Sequence, residues 1–107
     1  MTIKSMMTRN TLKALEEITG GALNLADLIK SIRLSEEMTQ VDFGKQLNIS
    51  RQHLCDIEHG RKAVSPKLAA EYAVKLGYSQ KQFIRLALQD ELKRAGLEFD
   101  IELKEAA

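Results

Sequence analysis

The segment TQVDFGKQLNISRQHLCDIEHG, residues 39–60, constrains the fold of this chain more than any other part of the sequence. It predicts two short amphipathic helices joined by a tight turn. Thr39 is a good N-cap for the first helix, and Asp42 three residues later can complete a capping box. The apolar residues expected on the inner face of this helix are Val41, Phe43 and Leu47.

Gly44 is the unusual residue of the first helix, because glycine costs about 1 kcal/mol in a helix interior. Its missing side chain predicts that the second helix crosses closely at this point. Asn48 follows where the chain must reverse, and asparagine tolerates the left-handed conformation of many helix C-caps. Ile49 is then expected to pack the turn against the core.

The second helix is predicted to begin after the N-cap Ser50 and to end at Gly60. Leu54 and Ile57 face inward in this arrangement. The outer, polar face carries Arg51, Gln52, His53 and Asp56. Two helices joined by a turn of about 3–4 residues, with hydrogen-bonding side chains at the start of the second, are typical of the helix-turn-helix that reads DNA.

Residues 25–88 resemble the Cro/C1-type (XRE) helix-turn-helix family. The matching residues are Leu28, Arg33, Met38, Thr39, Gln40, Phe43, Gly44, Leu47, Asn48, Ile49, Ser50, Leu54, Ile57, Glu58, Gly60, Leu68, Leu76 and Gly77. Gly44 stands where the family usually has Ala, and Asn48 where it usually has Gly, and both meet the same steric demand. The resemblance implies an all-α, lambda-repressor-like five-helix DNA-binding domain, which we expect at residues 25–95.

The other helices are predicted from apolar residues at helical spacing. An extension at residues 1–24 contains a short helix at 10–18, and residues 25–36 form the helix before the motif. After the motif, Ser65 with Pro66 opens a helix, and a capping box that begins at Ser79 opens the last. Their inward-facing residues are Leu25, Leu28, Ile29, Ile32, Leu68, Ala69, Tyr72, Ala73, Leu76, Phe83, Leu86, Ala87 and Leu92.

The C-terminal segment, residues 96–107, has a different pattern. Its apolar residues alternate strictly with polar ones and are Leu97, Phe99, Ile101 and Leu103. A period of two predicts a β-strand. A lone strand leaves a row of backbone groups unpaired, so we expect it to pair antiparallel with the same strand of a second copy. The alternative is an amphipathic tail without a partner.

The architecture of this tail adds a second resemblance. A small XRE-type domain followed by a dimer-forming strand is similar to the HipB-like antitoxins, which partner kinase toxins. The resemblance implies a homodimeric transcriptional repressor that binds a palindromic operator in double-stranded DNA and neutralises a toxin, of the kinase type or another. A protein-interaction module that scaffolds a partner is the alternative of a different class, and a phage-type regulator without a toxin is a third.

Composition fits a small cytoplasmic regulator. The 107 residues suit one domain, one cysteine fits a reducing compartment, and neither a membrane span nor a signal peptide is expected. The net charge is only +1. Positive residues in the motif region are Lys45, Arg51, Arg61, Lys62 and Lys67, against Asp42, Asp56 and Glu58. The local basic face therefore favours DNA, whereas the tail is acidic.

The start of the second motif helix holds the residues that the resemblance assigns to base reading. Arg51 can bond guanine and Gln52 can bond adenine, each with two hydrogen bonds. His53 lies beside them, and Asp56 either accepts from a cytosine amine or repels phosphate. A solvated polar face is the alternative for this group.

Further residues are expected to position the protein or the fold. Predicted phosphate contacts are Gln40, Ser50, Arg61, Lys62 and Lys67. For the three basic residues among them, plain solubility is the alternative. The resemblance implies that Arg33 and Glu58 approach each other, so we expect them to form a partly buried ion pair. His53, His59 and Cys55 do not make a closed metal site, and no catalytic constellation or cofactor motif is present, so we expect no enzyme. Cys55 is expected to be an inert packing residue, although a thiol switch there is conceivable.

Overall fold

The computed structural model describes residues 24–106, and the predicted helix at 10–18 lies outside them. The described residues form five α-helices. They are α1 (Leu25–Ser35), α2 (Gln40–Leu47), α3 (Arg51–Glu58), α4 (Pro66–Leu76) and α5 (Gln80–Arg94). The all-helical architecture predicted from the sequence is confirmed for this part of the chain, and α2 and α3 are the helix-turn-helix pair.

Each of these five helices begins with a side-chain cap. In every case a side-chain oxygen of the N-cap residue accepts a hydrogen bond from a backbone N–H three residues later. The caps are Asn24, Thr39, Ser50, Ser65 and Ser79. One such bond satisfies one of the four N–H groups that a helix start leaves unpaired, so these capping residues mark where the five helices begin.

One apolar core lies between the helices. Its buried apolar members include Leu28 and Ile32 of α1, Phe43 and Leu47 of α2, and many residues of the later helices. Val41 is a correction to the sequence prediction, because it is 45% exposed. Val41 precedes Phe43 by two residues, a rotation of about 200° around the helix, so the two cannot share the inner face.

The space beside Gly44 is taken by the turn and not by the body of the second helix. A Cβ atom at Gly44 would lie 2.9 Å from the carbonyl oxygen of Ile49. The N–H of Ile49 in turn donates to the carbonyl of Gly44 at 2.8 Å. Asn48 between them has φ 61° and ψ 42°, the predicted left-handed cap. The missing side chain therefore lets the chain reverse directly against α2.

Gly44→Val is expected to lower the free energy of unfolding by about 1–3 kcal/mol, the usual cost of overpacking. The obstructing atom is backbone and cannot rotate away. Lys45→Val, at an exposed position of the same helix, is the matched control and should stay within about 0.5 kcal/mol of the parent. Urea unfolding measures both, and equal effects would contradict the account of the turn.

Asp90 joins the first and the last of the five helices. Its carboxylate, on α5, accepts a hydrogen bond from the N–H of Leu25 at 3.3 Å. Burial raises the pKa of Asp90, and the Leu25 hydrogen bond and the positive charges of Arg94 and Lys93 oppose this shift. Because the pKa is higher in the folded than in the unfolded chain, ionisation of Asp90 weakens the fold.

Asp90→Asn should therefore raise the melting temperature at pH 7, since an amide oxygen can still accept from Leu25 without a buried charge. The gain should shrink as the pH falls through the raised folded pKa and should vanish below the ordinary value of 3.8. Thermal unfolding from pH 7 to pH 3 measures this difference. An increase in melting temperature that is the same at pH 7 and at pH 3 would show that the charge of Asp90 is not its cause.

The C-terminal segment folds back along α5. Gly96 has φ 75°, and the N–H of Leu97 reaches the carbonyl of Leu92 at 2.9 Å, which together end α5 in a left-handed turn. Residues 97–106 then contain neither helix nor strand in the described single chain. The dimer strand expected there from Leu97 to Leu103 remains a prediction.

The side chain of Gln89, on α5, holds this segment. Its amide nitrogen donates to the carbonyl of Phe99, and its amide oxygen accepts from the N–H of Ile101 at 3.0 Å. In an extended chain these two backbone groups lie along the same edge. Ile101 and Leu103 then line a groove of 320 Å³ against the start of α5. Gln89 thus occupies one edge of the segment.

Candidate nucleic-acid interface

Helix α3 has two opposite faces. Leu54, Ile57 and Glu58 are buried on one side. Arg51 and Gln52 are exposed at the N-terminal end, and His53 and Asp56 are half-buried beside them. The first turn of α3 therefore presents polar side chains outward from a helix whose other face is fixed in the core.

The N-terminal cap of α3 uses one of the predicted phosphate residues. The hydroxyl of Ser50 accepts from the N–H of His53 at 3.0 Å. Because that oxygen still has a lone pair and its own O–H, the cap does not prevent a further contact. The positive end of the helix dipole lies here as well, where an anion is favoured.

An ion pair fixes the other end of α3. Arg33 Nε lies 2.7 Å from Glu58 Oε2, and Arg33 Nη2 donates to Glu58 Oε1 at 3.0 Å. The Glu58 side chain is only 1% exposed. Arg33 Nη1 also donates to the carbonyl of Met38 at 3.0 Å. The last residue of α3 is thereby bound to α1, and the same Arg33 side chain also holds the loop that precedes α2.

Gln40 joins the same network. Its amide nitrogen donates to Glu58 Oε1 at 3.2 Å, so this predicted phosphate residue also has a structural contact. An amide nitrogen has two hydrogens, and the second is available for a phosphate. Gln40 is the first residue of α2, and the contact sets the start of α2 against the end of α3.

A second network covers the exposed side of α3. Asp56 Oδ1 accepts from the amide of Gln52 at 3.0 Å, and Arg61 Nε and Nη2 both lie 3.0 Å from the same oxygen. The hydrogen bond from Arg61 lowers the pKa of Asp56, and that from Gln52 adds to the effect. The same Asp56 contact raises the pKa of Arg61. A predicted base reader and a predicted phosphate residue therefore share one carboxylate oxygen.

The loop after α3 places its basic residues against the end of that helix. The backbone N–H groups of Arg61 and Lys62 both donate to the carbonyl of Asp56, at 2.8 and 3.2 Å. The side chains of Arg61, Lys62 and Lys67 are exposed, and Lys67 lies in the first turn of α4. These three remain candidates for phosphate contacts.

Cys55 lies at the edge of the same surface. Its sulfur is 3.5 Å from His59 Nδ1, and Arg61 Nη2 donates to it at 3.5 Å. Within residues 24–106, no group of three or more His, Cys, Asp or Glu side chains is arranged to hold a metal ion. No helix in this range is both long and apolar enough to cross a bilayer.

Two contacts of the site were missed by the sequence reasoning. Gln52 and Asp56 are four residues apart on one helix, a spacing at which side chains meet, so their bond could have been found. The ammonium group of Lys75 donates to the carbonyl of Leu47 at 3.2 Å and satisfies the C-terminal end of α2. Nothing in the local sequence indicates this second contact, because it joins residues distant along the chain.

The fold and the exposed first turn of α3 define a helix-turn-helix DNA-binding domain. A model of the helix-turn-helix family matches residues 29–83, and the chain belongs to this family. The match supports the Cro/C1-type assignment and a DNA-binding transcription regulator, and the matched family is a DNA-binding regulatory domain and not an enzyme family. Comparison with curated proteins and with solved structures gives no significant match.

Proposed function

We propose that this protein is a homodimeric, sequence-specific transcriptional repressor that reads double-stranded DNA with the first turn of α3. The observation that carries the proposal is the two-sided character of this helix. Arg51 and Gln52 are exposed, while Glu58 at the other end is locked to α1. A reading helix needs free donors at its N-terminal end and a fixed orientation behind them.

The charges of the motif region support the same function. Arg61, Lys62 and Lys67 are exposed around α3 and α4, whereas the net charge of the whole chain is +1. Phosphate contacts that position the domain are therefore expected to be few and local. His53, half-buried next to Gln52, is the third proposed reading residue.

The first experiment selects binding sites from a random-sequence duplex library with the full-length protein. We expect one enriched, two-fold symmetric sequence, with half-sites about 34 Å apart in the major groove. Its affinity should fall with salt at a log–log slope of about −0.9 per phosphate neutralised. Absence of any enriched sequence at low salt would end the repressor proposal.

The dimer is proposed to form through the C-terminal segment. Phe99 is 66% exposed and Leu97 is also exposed, which leaves apolar surface for a partner. Gln89 occupies the edge formed by Phe99 and Ile101. Among residues 24–106, the backbone groups of Glu98, Asp100 and Glu102, on the opposite edge, make no hydrogen bond to other backbone groups. This second edge would pair antiparallel with that of another copy.

Asp100→Pro tests the pairing edge. Proline removes one donor from the outer edge, so we expect the dimer to dissociate at concentrations where the parent remains dimeric. Asp100→Ala removes the same carboxylate but keeps the N–H, and it should stay dimeric. Sedimentation of the three proteins measures this. Equal association of the proline and alanine variants would exclude pairing through this edge.

The antitoxin role is a finer hypothesis, motivated by the small domain and its tail. It predicts an operator in the protein's own promoter and a toxin, kinase-type or other, encoded by an adjacent gene. Co-expression with the product of that gene should yield a complex and relieve its toxicity. The protein-scaffold alternative predicts a stable partner complex without operator binding, and a cytoplasmic location suits either role.

A further inference from the structure

Asp56 lies at the centre of the exposed network on α3. One of its carboxylate oxygens, Oδ1, accepts from Gln52 and from Arg61, each at 3.0 Å. The sequence suggested two direct roles for Asp56, acceptance from a cytosine amine or repulsion of phosphate. The shared oxygen indicates an indirect role, because it is already used by two side chains that are themselves candidates for DNA contact.

We propose that Asp56 is a positioning residue that fixes the amide of Gln52 in the orientation that reads adenine. This proposal rests on the proposed function, since it assumes that Gln52 meets a base. It assigns no base to Asp56 itself.

The orientation follows from the chemistry of the acceptor. A carboxylate only accepts, so Gln52 must turn its NH₂ group and not its carbonyl toward Asp56. One amide hydrogen is then used. The second hydrogen and the carbonyl oxygen remain free, as one donor and one acceptor at the tip of the side chain.

One donor and one acceptor match adenine. Its N7 accepts and its N6 amine donates in the major groove, whereas guanine presents two acceptors, N7 and O6. Without Asp56 the amide of Gln52 could rotate and adapt to either base. The expected consequence of Asp56 is therefore selectivity for adenine at one position and not a general gain in affinity.

Arg61 completes the arrangement from the other side. Its guanidinium carries only donors and lies on the same oxygen as Gln52, so it holds the carboxylate in place. Arg61 is also exposed, and a phosphate contact there would fix Asp56 further. The network thus connects Arg61, a candidate contact to the DNA phosphates, with Gln52, which reads a base.

Two substitutions separate the roles of shape and charge at position 56. Asp56→Ala removes the acceptor. Asp56→Asn keeps one oxygen, and Arg61, which can only donate, would hold that oxygen in the place of Oδ1. Asparagine should therefore rescue the positioning of Gln52, although it lacks the charge.

The experiment uses the duplex enriched by the parent protein and a set in which each base pair is replaced in turn. Gln52→Ala first identifies the base pair that Gln52 reads. At that pair we expect the parent to prefer adenine over guanine by at least about fivefold. Asp56→Ala should reduce this ratio to near one, and Asp56→Asn should keep most of it. In the Gln52→Ala background, Asp56→Ala should change the ratio no further.

Four results would overturn the proposal. An unchanged adenine preference in Asp56→Ala would remove the positioning role, as would a Gln52→Ala variant that loses discrimination at no base pair. Loss of discrimination at a separate cytosine in both Asp56 variants would show direct reading. Equally tighter binding of both Asp56 variants to all duplexes would show that the Asp56 charge acts by repelling phosphate. If the parent itself enriches no sequence, the proposed function falls first, and that outcome is distinct from these four.

Discussion

Arg33→Ala is expected to lower the free energy of unfolding by about 3–5 kcal/mol, because it leaves the Glu58 carboxylate buried without its charged partner. The Glu58 side chain is 1% exposed and accepts two hydrogen bonds from Arg33. Gln40 supplies only one further neutral donor. Small domains have about 5–15 kcal/mol of stability in total, so this loss should be plain in urea unfolding.

Two comparisons make this result specific. Lys30→Ala, at an exposed position on the same helix, should change stability by less than about 0.5 kcal/mol. Replacing Arg33 and Glu58 together by Met and Leu should cost less than Arg33→Ala alone, since no charge is then stranded. Where enough folded protein remains, Arg33→Ala should keep the base preference of the parent. An unchanged unfolding curve for Arg33→Ala would contradict the structural role of the pair.

Replacing Arg51 and Gln52 together by alanine is expected to have the largest effect on DNA binding. Each bidentate base contact contributes about 1–3 kcal/mol of discrimination, so the two residues together should account for roughly a 30-fold to 10⁴-fold loss of affinity at each half-site of the selected sequence. Both side chains are exposed, so the melting temperature should stay the same. Fluorescence anisotropy with the selected duplex and a scrambled one measures the change.

Lys62→Ala is the matched control for this prediction. A lost phosphate contact should weaken binding to all duplexes alike and reduce the magnitude of the salt slope by about 0.9 for each protomer bound. The double variant of Arg51 and Gln52 should instead lose the difference between the selected and the scrambled duplex. If the double variant still discriminates between the selected and the scrambled duplex while Lys62→Ala does not, base reading does not lie in the first turn of α3.

Local signals in the sequence were enough to predict most of the fold. The capping residues Thr39, Ser50 and Ser65 mark helix starts because each bond spans only three residues, and the left-handed Asn48 marks the turn for the same local reason. Val41 was assigned to the wrong face because apolar character was weighed more heavily than its angle around the helix. Helix starts and turns that depend on residues close in the sequence can therefore be predicted from the sequence alone.

Contacts between residues that are distant along the chain are harder to predict from the sequence. Gln89 and Ile101 meet only because the turn at Gly96 returns the tail along α5, and the sequence does not give the direction of that return. The candidate site likewise has a part that the sequence predicts and a part that it does not. Its residues were named from the sequence, but the sharing of one Asp56 oxygen by Gln52 and Arg61 depends on the path of the loop after α3.

The shared oxygen of Asp56 also limits how this regulator could evolve a new operator. The hydrogen bonds of this network join Asp56 to residues 52 and 61 and not to residue 51. Residue 51 can therefore be substituted independently, which would change one base preference at a time. Residues 52, 56 and 61 form a linked set, in which a new side chain at one position leaves the other two without their partner. Paralogues with different operators would then vary freely at position 51 and exchange the other three together.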